Sequence, residues 1–414
     1  MAAAPLSAIH PFSPDVLRDP GAFDRRLRAE APVHRDPHTG IFLVSTWDRV
    51  REAARDWETF SSRFARAMGG GGATPPPEVE APAREGWPLV DTMLTEDPPA
   101  HHRFRKLVNK AFLPKRVDAL APRAEGIAHA LIDAFAADGR CELRARFAQP
   151  LPLTVIAEQL GVPREDLPTF RRFTEGFVAQ LGGMADREGR AEAARLILAF
   201  QRYFAERLEA RRRAPADDIL SDLVHARVED ERPLDVAEML SILQQILVAG
   251  NETTASAIVE GVALLIDHPD QMARVRAEPT RIPALVEEVL RLATPTANMW
   301  RVATRDTELG GVAIPKGSML MLRYASANRD EAVFPEPDRF DVARPNAGEH
   351  LAFGSGVHFC LGARLARMEM TVAFRVLLER LEDLAFDPER PRPRHVPNLL
   401  LHGLEALPLV FRPR

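Results

Sequence analysis

Residues 353–362 read FGSGVHFCLG, a loop that sets Phe353, Gly356, His358 and Gly362 around one thiol, Cys360. The run that follows, Leu361 to Leu381, carries apolar residues at helical spacing, so the thiol stands at the start of a helix. Backbone N–H groups exposed at a helix N-terminus stabilise negative charge and lower a thiol's pKa. They favour the thiolate, the form that ligates metals or acts as a nucleophile. The glycines let backbone come close to a flat ligand. A lone cysteine is ordinarily a packing residue, but five specified positions within ten residues make this one a motif. Cys141, in GRCELR, has no such neighbours and reads as packing.

Working outward from that loop, apolar periodicity predicts further helices over roughly 121–137, 151–160, 165–178, 192–213, 236–267 and 282–292. Asp97, followed by Pro98 and Pro99, is expected to cap another helix that runs past Phe112. Strand signals are few. Residues 33–45 hold a turn, Asp36 to Gly40, between two β-prone runs and read as a hairpin. Residues 303–345 break into short β-prone pieces around Gly310, Gly311, Pro315, Gly317, Pro335 and Pro337. MGGGGATPPP, residues 68–77, reads as a surface loop suited to be a lid. The fold class expected is mainly α with a minor β region. No repeat or linker composition divides the chain, so a single domain, 1–414, is the simplest organisation.

The chain has 414 residues, 46% hydrophobic and 27% charged, which is an ordinary globular balance and excludes a rod or a disordered chain. A net charge of -5 supplies no basic field for nucleic acid. The longest apolar stretch, 239–266, contains Gln244, Gln245, Asn251, Glu252 and Glu260. That polarity argues for a buried core helix and against a membrane span. Met1 to Asp19 lacks the apolar run and basic flank of an export signal, and two cysteines are too few for a disulfide framework. A cytoplasmic protein without a membrane or nucleic-acid partner is expected.

Within the long apolar helix, Ala249-Gly250-Asn251-Glu252-Thr253-Thr254 places a carboxylate and hydroxyls in apolar surroundings. Gly250 weakens the helix locally and a threonine hydroxyl can satisfy a carbonyl one turn back, so this is either a simple kink or a groove able to hold oxygen and water. Glu288 and Arg291 lie three apart on one helical face, which on a surface means only a modest ion pair. His101 and Arg105 are one turn apart and share a face, whereas His102 points elsewhere. Arg103, Lys106, Lys110, Lys115 and Arg116, with Arg364 and Arg367, form basic clusters that are either solvated or a docking patch.

The Cys360 loop resembles the haem-binding loop of the cytochrome P-450 family, Phe-x-x-Gly-x-His-x-Cys-x-Gly, and the likeness extends over nearly the whole chain. The resemblance implies a helix-rich prism in which haem b, iron protoporphyrin IX, lies between the long central helix and the cysteine-loop helix. It makes Cys360 the iron ligand and adds Phe353, Gly354, His358, Gly362, Ala249 and Gly250 to the cofactor's surroundings. It assigns Arg301, His101, Arg105 and His358 to the haem propionates. Glu252 and Thr253 become the acid and alcohol that supply protons for oxygen activation. Glu288, Arg291 and an arginine of the irregular segment, Arg344 ahead of Arg339, become a structural lock. A monomeric monooxygenase acting on O2 and a hydrophobic small molecule is implied, with a ferredoxin or flavodoxin as electron donor on a basic face. Peroxide-driven oxygenation and a non-catalytic haem carrier or sensor are the alternatives. The family pattern lines the substrate pocket with the 68–77 loop, residues 170–184, 243–248, 294–299 and 399–401. Their aliphatic character points to a terpenoid or steroid.

Overall fold

A computed structural model describes residues 5–64, 77–182, 185–227 and 231–414. The glycine- and proline-rich 68–77 segment therefore lies outside the described residues except for Pro77, which opens a helix, Pro77–Glu85. Among the described residues helices dominate and three small sheets accompany them, the smallest a hairpin of β6 (Thr307–Leu309) and β7 (Val312–Ile314). Among the described residues no helix is long and apolar enough to cross a membrane.

The chain divides into two compact units, each assembled from discontinuous stretches. The first comprises Met1–Ser61, Ala121–Leu151 and Thr253–Arg414. Its main sheet has the order β1 (Val33–Arg35), β2 (Phe42–Val44), β8 (Met319–Arg323), β5 (Asn298–Ala303), β3 (Phe60–Ser61). β1 and β2 form the expected hairpin, with Val33 opposite Val44. β2 then runs parallel to β8, and all three of its residues are buried, the continuous apolar run that a strand covered on both faces needs. Phe42, Val44, Leu320, Leu322 and Phe60 form a core with Val50, Ala53 and Ala54 of the helix Trp47–Arg55. A second sheet pairs β10 (Pro408–Pro413) with β4 (Arg140–Glu142) on one side and β9 (Leu381–Phe386) on the other. Cys141 sits in β4, buried, and burial pushes its thiol up to about 12, as an inert packing residue requires.

The second unit comprises Ser62–Leu120 and Pro152–Glu252. Its framework is a pair of helices, Leu167–Gly182 and Arg187–Arg213. Phe170, Phe173 and Phe177 are almost wholly buried and meet Phe200 and Phe204 edge-on, with ring centroids 4.9 to 6.2 Å apart. Each such ring removes a large apolar area from water, and edge contacts add about 0.5–1.5 kcal/mol per pair. These aromatics therefore hold two helices together, and of the 170–184 segment expected to line the substrate pocket it is Ala179 and Gln180 that border a cavity; residues 183 and 184 lie outside the described residues. The long helix, Val236–Asp267, carries residues of both units and runs unbroken through Gly250.

Asp97 does not cap the helix that follows it. That helix, Ala100–Asn109, has Pro99 at its cap position, and the Asp97 carboxylate instead accepts from the Ser62 backbone N–H at 2.9 Å. The carboxylate satisfies a buried donor on a neighbouring segment in place of one on its own helix.

Candidate functional site

The cysteine loop belongs to the first unit. A tight turn, Gly356–His358, lets the Cys360 N–H donate to the Phe353 carbonyl at 2.9 Å, and the helix Ala363–Arg380 begins three residues later with Gly362 at its cap. Gly356 has φ +75°, and a Cβ there would stand 3.0 Å from both the Ala54 carbonyl oxygen and Arg55 Cα, so only glycine permits the loop to lie against the helix Trp47–Arg55. Arg55 Nε donates to Ser355 Oγ at 3.0 Å, Trp47 Nε1 to the Glu349 carbonyl at 2.9 Å, and Leu351 N to Asn328 Oδ1 at 2.6 Å. The loop and the segment leading into it are thus held by the helix Trp47–Arg55 and by Asn328. Neither cysteine forms a disulfide.

Behind the loop lies a buried ion cluster. Glu288 and Arg291, on the helix Ile282–Ala293, have no exposed side-chain surface and pair through both carboxylate oxygens at 2.8 Å. Arg344 Nε reaches Glu288 Oε1 at 3.1 Å, whereas Arg339 pairs with Glu336 on the surface. The remaining donors of Arg291 and Arg344 go to the carbonyls of Asn328, Pro335, Glu336, Pro337 and Arg339. A planar guanidinium satisfied on every edge is directional, which suits a clamp on the irregular 335–344 chain.

Arg367, expected to be either solvated or part of a docking patch, lies against the loop. Its guanidinium stands 4.6 Å over the Phe353 ring and pairs with Glu287 at 2.6 and 2.8 Å. Burial pushes the Glu287 carboxyl up, but hydrogen bonds from Arg367 and His350 outweigh it and hold the group at about 2. Three other basic residues of the clusters are also engaged with acids of the second unit: Arg103 with Glu238, and Lys110 and Arg116 with Asp222. Lys106 and Lys115 are exposed. Arg63 and Arg66, on the flank of the 68–77 segment, are by sequence either a carboxylate anchor or simply solvated; Arg63 pairs with Glu96, and Arg66 lies outside the described residues.

The remaining site residues fall in both units. In the first, Arg301 is buried; its Nη1 donates to the Trp300 carbonyl at 2.7 Å, Tyr324 hydrogen-bonds its side chain, and its Nε has no hydrogen-bond partner. A Cβ on Gly354 would lie 3.5 Å from Tyr324 Oη, so this arginine borders the cysteine loop. A buried cation with an unmet donor beside such a loop fits an anionic ligand such as a haem propionate. In the second unit, His101 is buried and His102 exposed; burial first, and the charge of Arg105 second, lower His101 to about 4. Ala249 is exposed although Leu247 and Asn251 are buried, and a side chain added at Gly250 would meet nothing nearer than Ile156 at 3.9 Å. That open, small-residue face has room for a flat cofactor. Glu252 is buried, and the neighbouring Asn251 Nδ2 donates to Thr174 Oγ1 at 3.4 Å.

One buried acid escaped the sequence reading. Glu369, on the helix Ala363–Arg380, is 1% exposed and faces Thr254, the residue after Thr253. Burial raises its carboxyl to about 8, so it is neutral at pH 7.

The second unit also holds a cavity of about 380 Å³. Trp87, Leu89, Ile197 and Leu198 supply much of its apolar wall, and Gln180, Arg190, Gln201 and Gln244 stand at its polar positions. Leu89 is 65% exposed, an apolar surface left open at the cavity.

The family profile described as Cytochrome P-450 matches residues 186–406. The chain is 38% identical to the cytochrome P-450 monooxygenase PikC of Streptomyces venezuelae, over 99% of this chain and 95% of that protein. It is 37% identical to a Steroid C26-monooxygenase of Mycobacterium tuberculosis, over 96% of this chain and 94% of that one. Among solved structures, a cytochrome P-450 from Chondromyces apiculatus superposes with a TM-score of 0.85 at 36% identity, covering 98% of each chain. Another, CREJ in complex with (4-ethylphenyl) dihydrogen phosphate, superposes at 0.91 with 28% identity, covering 99% of this chain and all of that one.

Proposed function

Because this chain belongs to the cytochrome P-450 family and is a monooxygenase acting on small molecules, we propose that its substrate is a bulky, mostly aliphatic ring compound, a steroid, terpenoid or macrolide. One atom of O2 would enter the substrate and the other leave as water, with two electrons and two protons drawn from outside. The family implies a haem. When bound, a thiolate-ligated haem supplies the oxygen-activating chemistry, because the sulfur raises electron density at iron and favours O–O cleavage.

The roles of this chain's residues follow from their settings. Cys360 Sγ would ligate the iron, and the braced loop would keep that sulfur in place. Arg301 and His358, with His101 and Arg105, would meet the propionates; the unmet Nε of Arg301 is the observation that carries this assignment. Ala249 and Gly250 would let the cofactor approach the long helix. Glu252 would move protons inward and the Thr253 hydroxyl would hand them on. Glu288, Arg291 and Arg344 would hold the loop's supporting chain. Residues 1–414 are read as one haem domain, and a ferredoxin or flavodoxin as its electron donor. Lys106, Lys115 and Arg364 are exposed cations of the expected docking patch and would greet it.

The substrate class rests on the apolar cavity of the second unit, together with relatives named a Steroid C26-monooxygenase and a 6-deoxyerythronolide B hydroxylase. Titrating haem-loaded protein with steroids, macrolides, terpenes, fatty acids and aryl acids while following the Soret band tests it. A high-spin shift with ring compounds alone supports the proposal, and a shift confined to fatty or aryl acids refutes it. Cys360→Ser is the control for the ligand: the reduced carbonyl complex must lose its thiolate signature.

A further inference from the structure

We propose that Glu260, His395 and His402 form a binding site for one divalent transition-metal ion, with zinc as the expected occupant and the 395–404 hairpin as the element it clamps. The three side chains each offer a ligand atom, and those atoms all lie within 4.8 Å of one another. His395 Nε2 and Glu260 Oε1 are 2.7 Å apart. The two imidazole rings stack with centroids 3.9 Å apart and 20° between their planes, so they must splay for both in-plane lone pairs to meet on one ion.

The backbone explains how residues so distant in sequence meet. His395 and His402 stand on the two arms of a hairpin closed by the Val396 N to Gly403 carbonyl bond at 3.1 Å and the His395–Leu404 bridge. Gly403 lies so close to the long helix that a Cβ would come 2.5 Å from Ser256 Oγ. Glu260 is one turn further along that helix on the same face, which brings its carboxylate to the hairpin's mouth.

The donor set is the second argument. Two imidazoles and a carboxylate suit zinc and leave a fourth position for water. Zinc–ligand bonds of about 2.0–2.2 Å separate tetrahedral ligand atoms by about 3.3 Å. The present separations, from 2.7 Å up to the 4.8 Å limit, bracket that value. The ion pair with Glu260 accounts for His395 but not for His402, whose Nε2 is buried with no hydrogen-bond partner. The same ring hydrogen-bonds the Arg18 backbone, the outer contact that fixes a ligand imidazole's orientation. Arg329, a cation acting on His402, is paired with Asp338 at 3.3 Å, which offsets its charge; Arg144 Nη1 lies 3.4 Å from Ser256 Oγ on the neighbouring turn. His395 keeps 28% and Glu260 13% of its side-chain surface exposed, so an ion can enter from solvent. An ion here would fix the turn between the two histidines, whose Leu399 and Leu400 carbonyls receive the Asn298 side chain and backbone N–H.

The test uses full-length, haem-loaded protein stripped with a chelator and dialysed against buffered zinc. Metal content by atomic emission should reach one zinc per chain. Zinc-edge X-ray absorption, which haem does not obscure, should report two imidazoles and light oxygen ligands. His395→Ala and Glu260→Gln should each weaken zinc binding by at least about tenfold, and zinc should raise the melting temperature of the wild type but not of His395→Ala. Should His402→Ala fail to take up haem, the partly exposed His395→Ala decides the matter, since its X-ray absorption must lose one imidazole. No stoichiometric zinc in the wild type, or undiminished zinc in His395→Ala, would overturn the proposal and assign any bound metal to the surface.

Discussion

Glu369→Gln separates a buried neutral acid from every other contribution to stability, because its effect must change with pH. The carboxyl sits at about 8 in the folded chain against an ordinary value of 4.5, and the principal cause is burial. Below pH 4.5 it is protonated in both states and contributes no pH dependence. As pH rises, the unfolded chain releases the proton while the folded chain keeps it, so stability falls progressively until pH passes the folded value. At 1.36 kcal/mol per pH unit the loss reaches about 3 kcal/mol at pH 7 and about 5 kcal/mol at pH 8 and above. Glutamine has nearly the same shape and no proton to lose. Whatever the amide gains or loses in hydrogen bonding is a constant offset, so the slope alone carries the signal.

The assay is the melting temperature of haem-loaded wild type and Glu369→Gln at matched scan rates from pH 5 to pH 8. At roughly 2 °C per kcal/mol for a large chain, the variant should gain about 6 °C or more on the wild type across that range, whichever protein melts higher at pH 5. Infrared spectra should contain a protonated-carboxyl stretch at pH 7 that Glu369→Gln lacks. Parallel melting curves at every pH would mean that the carboxylate ionises in place, and the reasoning from burial would be wrong.

Three further outcomes follow from the site. Glu288→Gln strips the carboxylate from between two buried arginines and should cost about 3–5 kcal/mol, seen as a fall in recovered haem-loaded protein; wild-type yield and melting would show that the backbone carbonyls alone suffice. Thr253→Val and Glu252→Gln should each slow product formation by about 10²-fold, with O2 consumption diverted to peroxide and substrate binding spectra unchanged. If both variants keep full coupling, the proposed proton route is wrong. Reversing charge at Lys106 and Lys115 together should slow reduction by an acidic ferredoxin, most strongly at low salt; equal rates at all salt concentrations would remove these residues from the docking surface.

Much of the chemistry was legible because it is local. The cysteine loop is ten consecutive residues, and its spacing survives without knowledge of the fold. Glu288 and Arg291 were visible as a pair, and the family pattern put Arg344 ahead of Arg339; that Arg344 reaches Glu288 while Arg339 pairs on the surface depends on the path of the 335–344 chain, which no periodicity encodes. Arg367 looked like surface because its helix is rich in charge; its partner, Glu287, lies on a helix 80 residues earlier. Asp97 has the side chain of a cap, yet its carboxylate went to Ser62, a non-local choice. The 170–184 segment was assigned to the pocket by analogy, and Ala179 and Gln180 do border the cavity, but Phe170, Phe173 and Phe177, at spacings of three and four, form a helix packing face. The same rule would have found Glu369. Leu365, Glu369, Val372 and Val376 recur at four, three and four, so a carboxyl stood in the apolar stripe and burial was readable.

What the sequence left open has a physical reason. The first unit spends buried charge on holding one loop: Glu288, Arg291 and Arg344 clamp its supporting chain, and Glu287 fixes Arg367 over Phe353. Such groups are directional, and a change in any one strands its partners in a dry interior. The reaction class is therefore recorded in a few residues whose spacing is recognisable. The cavity of the second unit is walled mostly by Leu, Ile, Ala and Pro side chains, whose contacts are non-directional and interchangeable at similar volume. Substitutions there change which molecule fits at little cost to folding. Substrate identity is accordingly written in shape, and shape becomes readable only when ligands are tried in it.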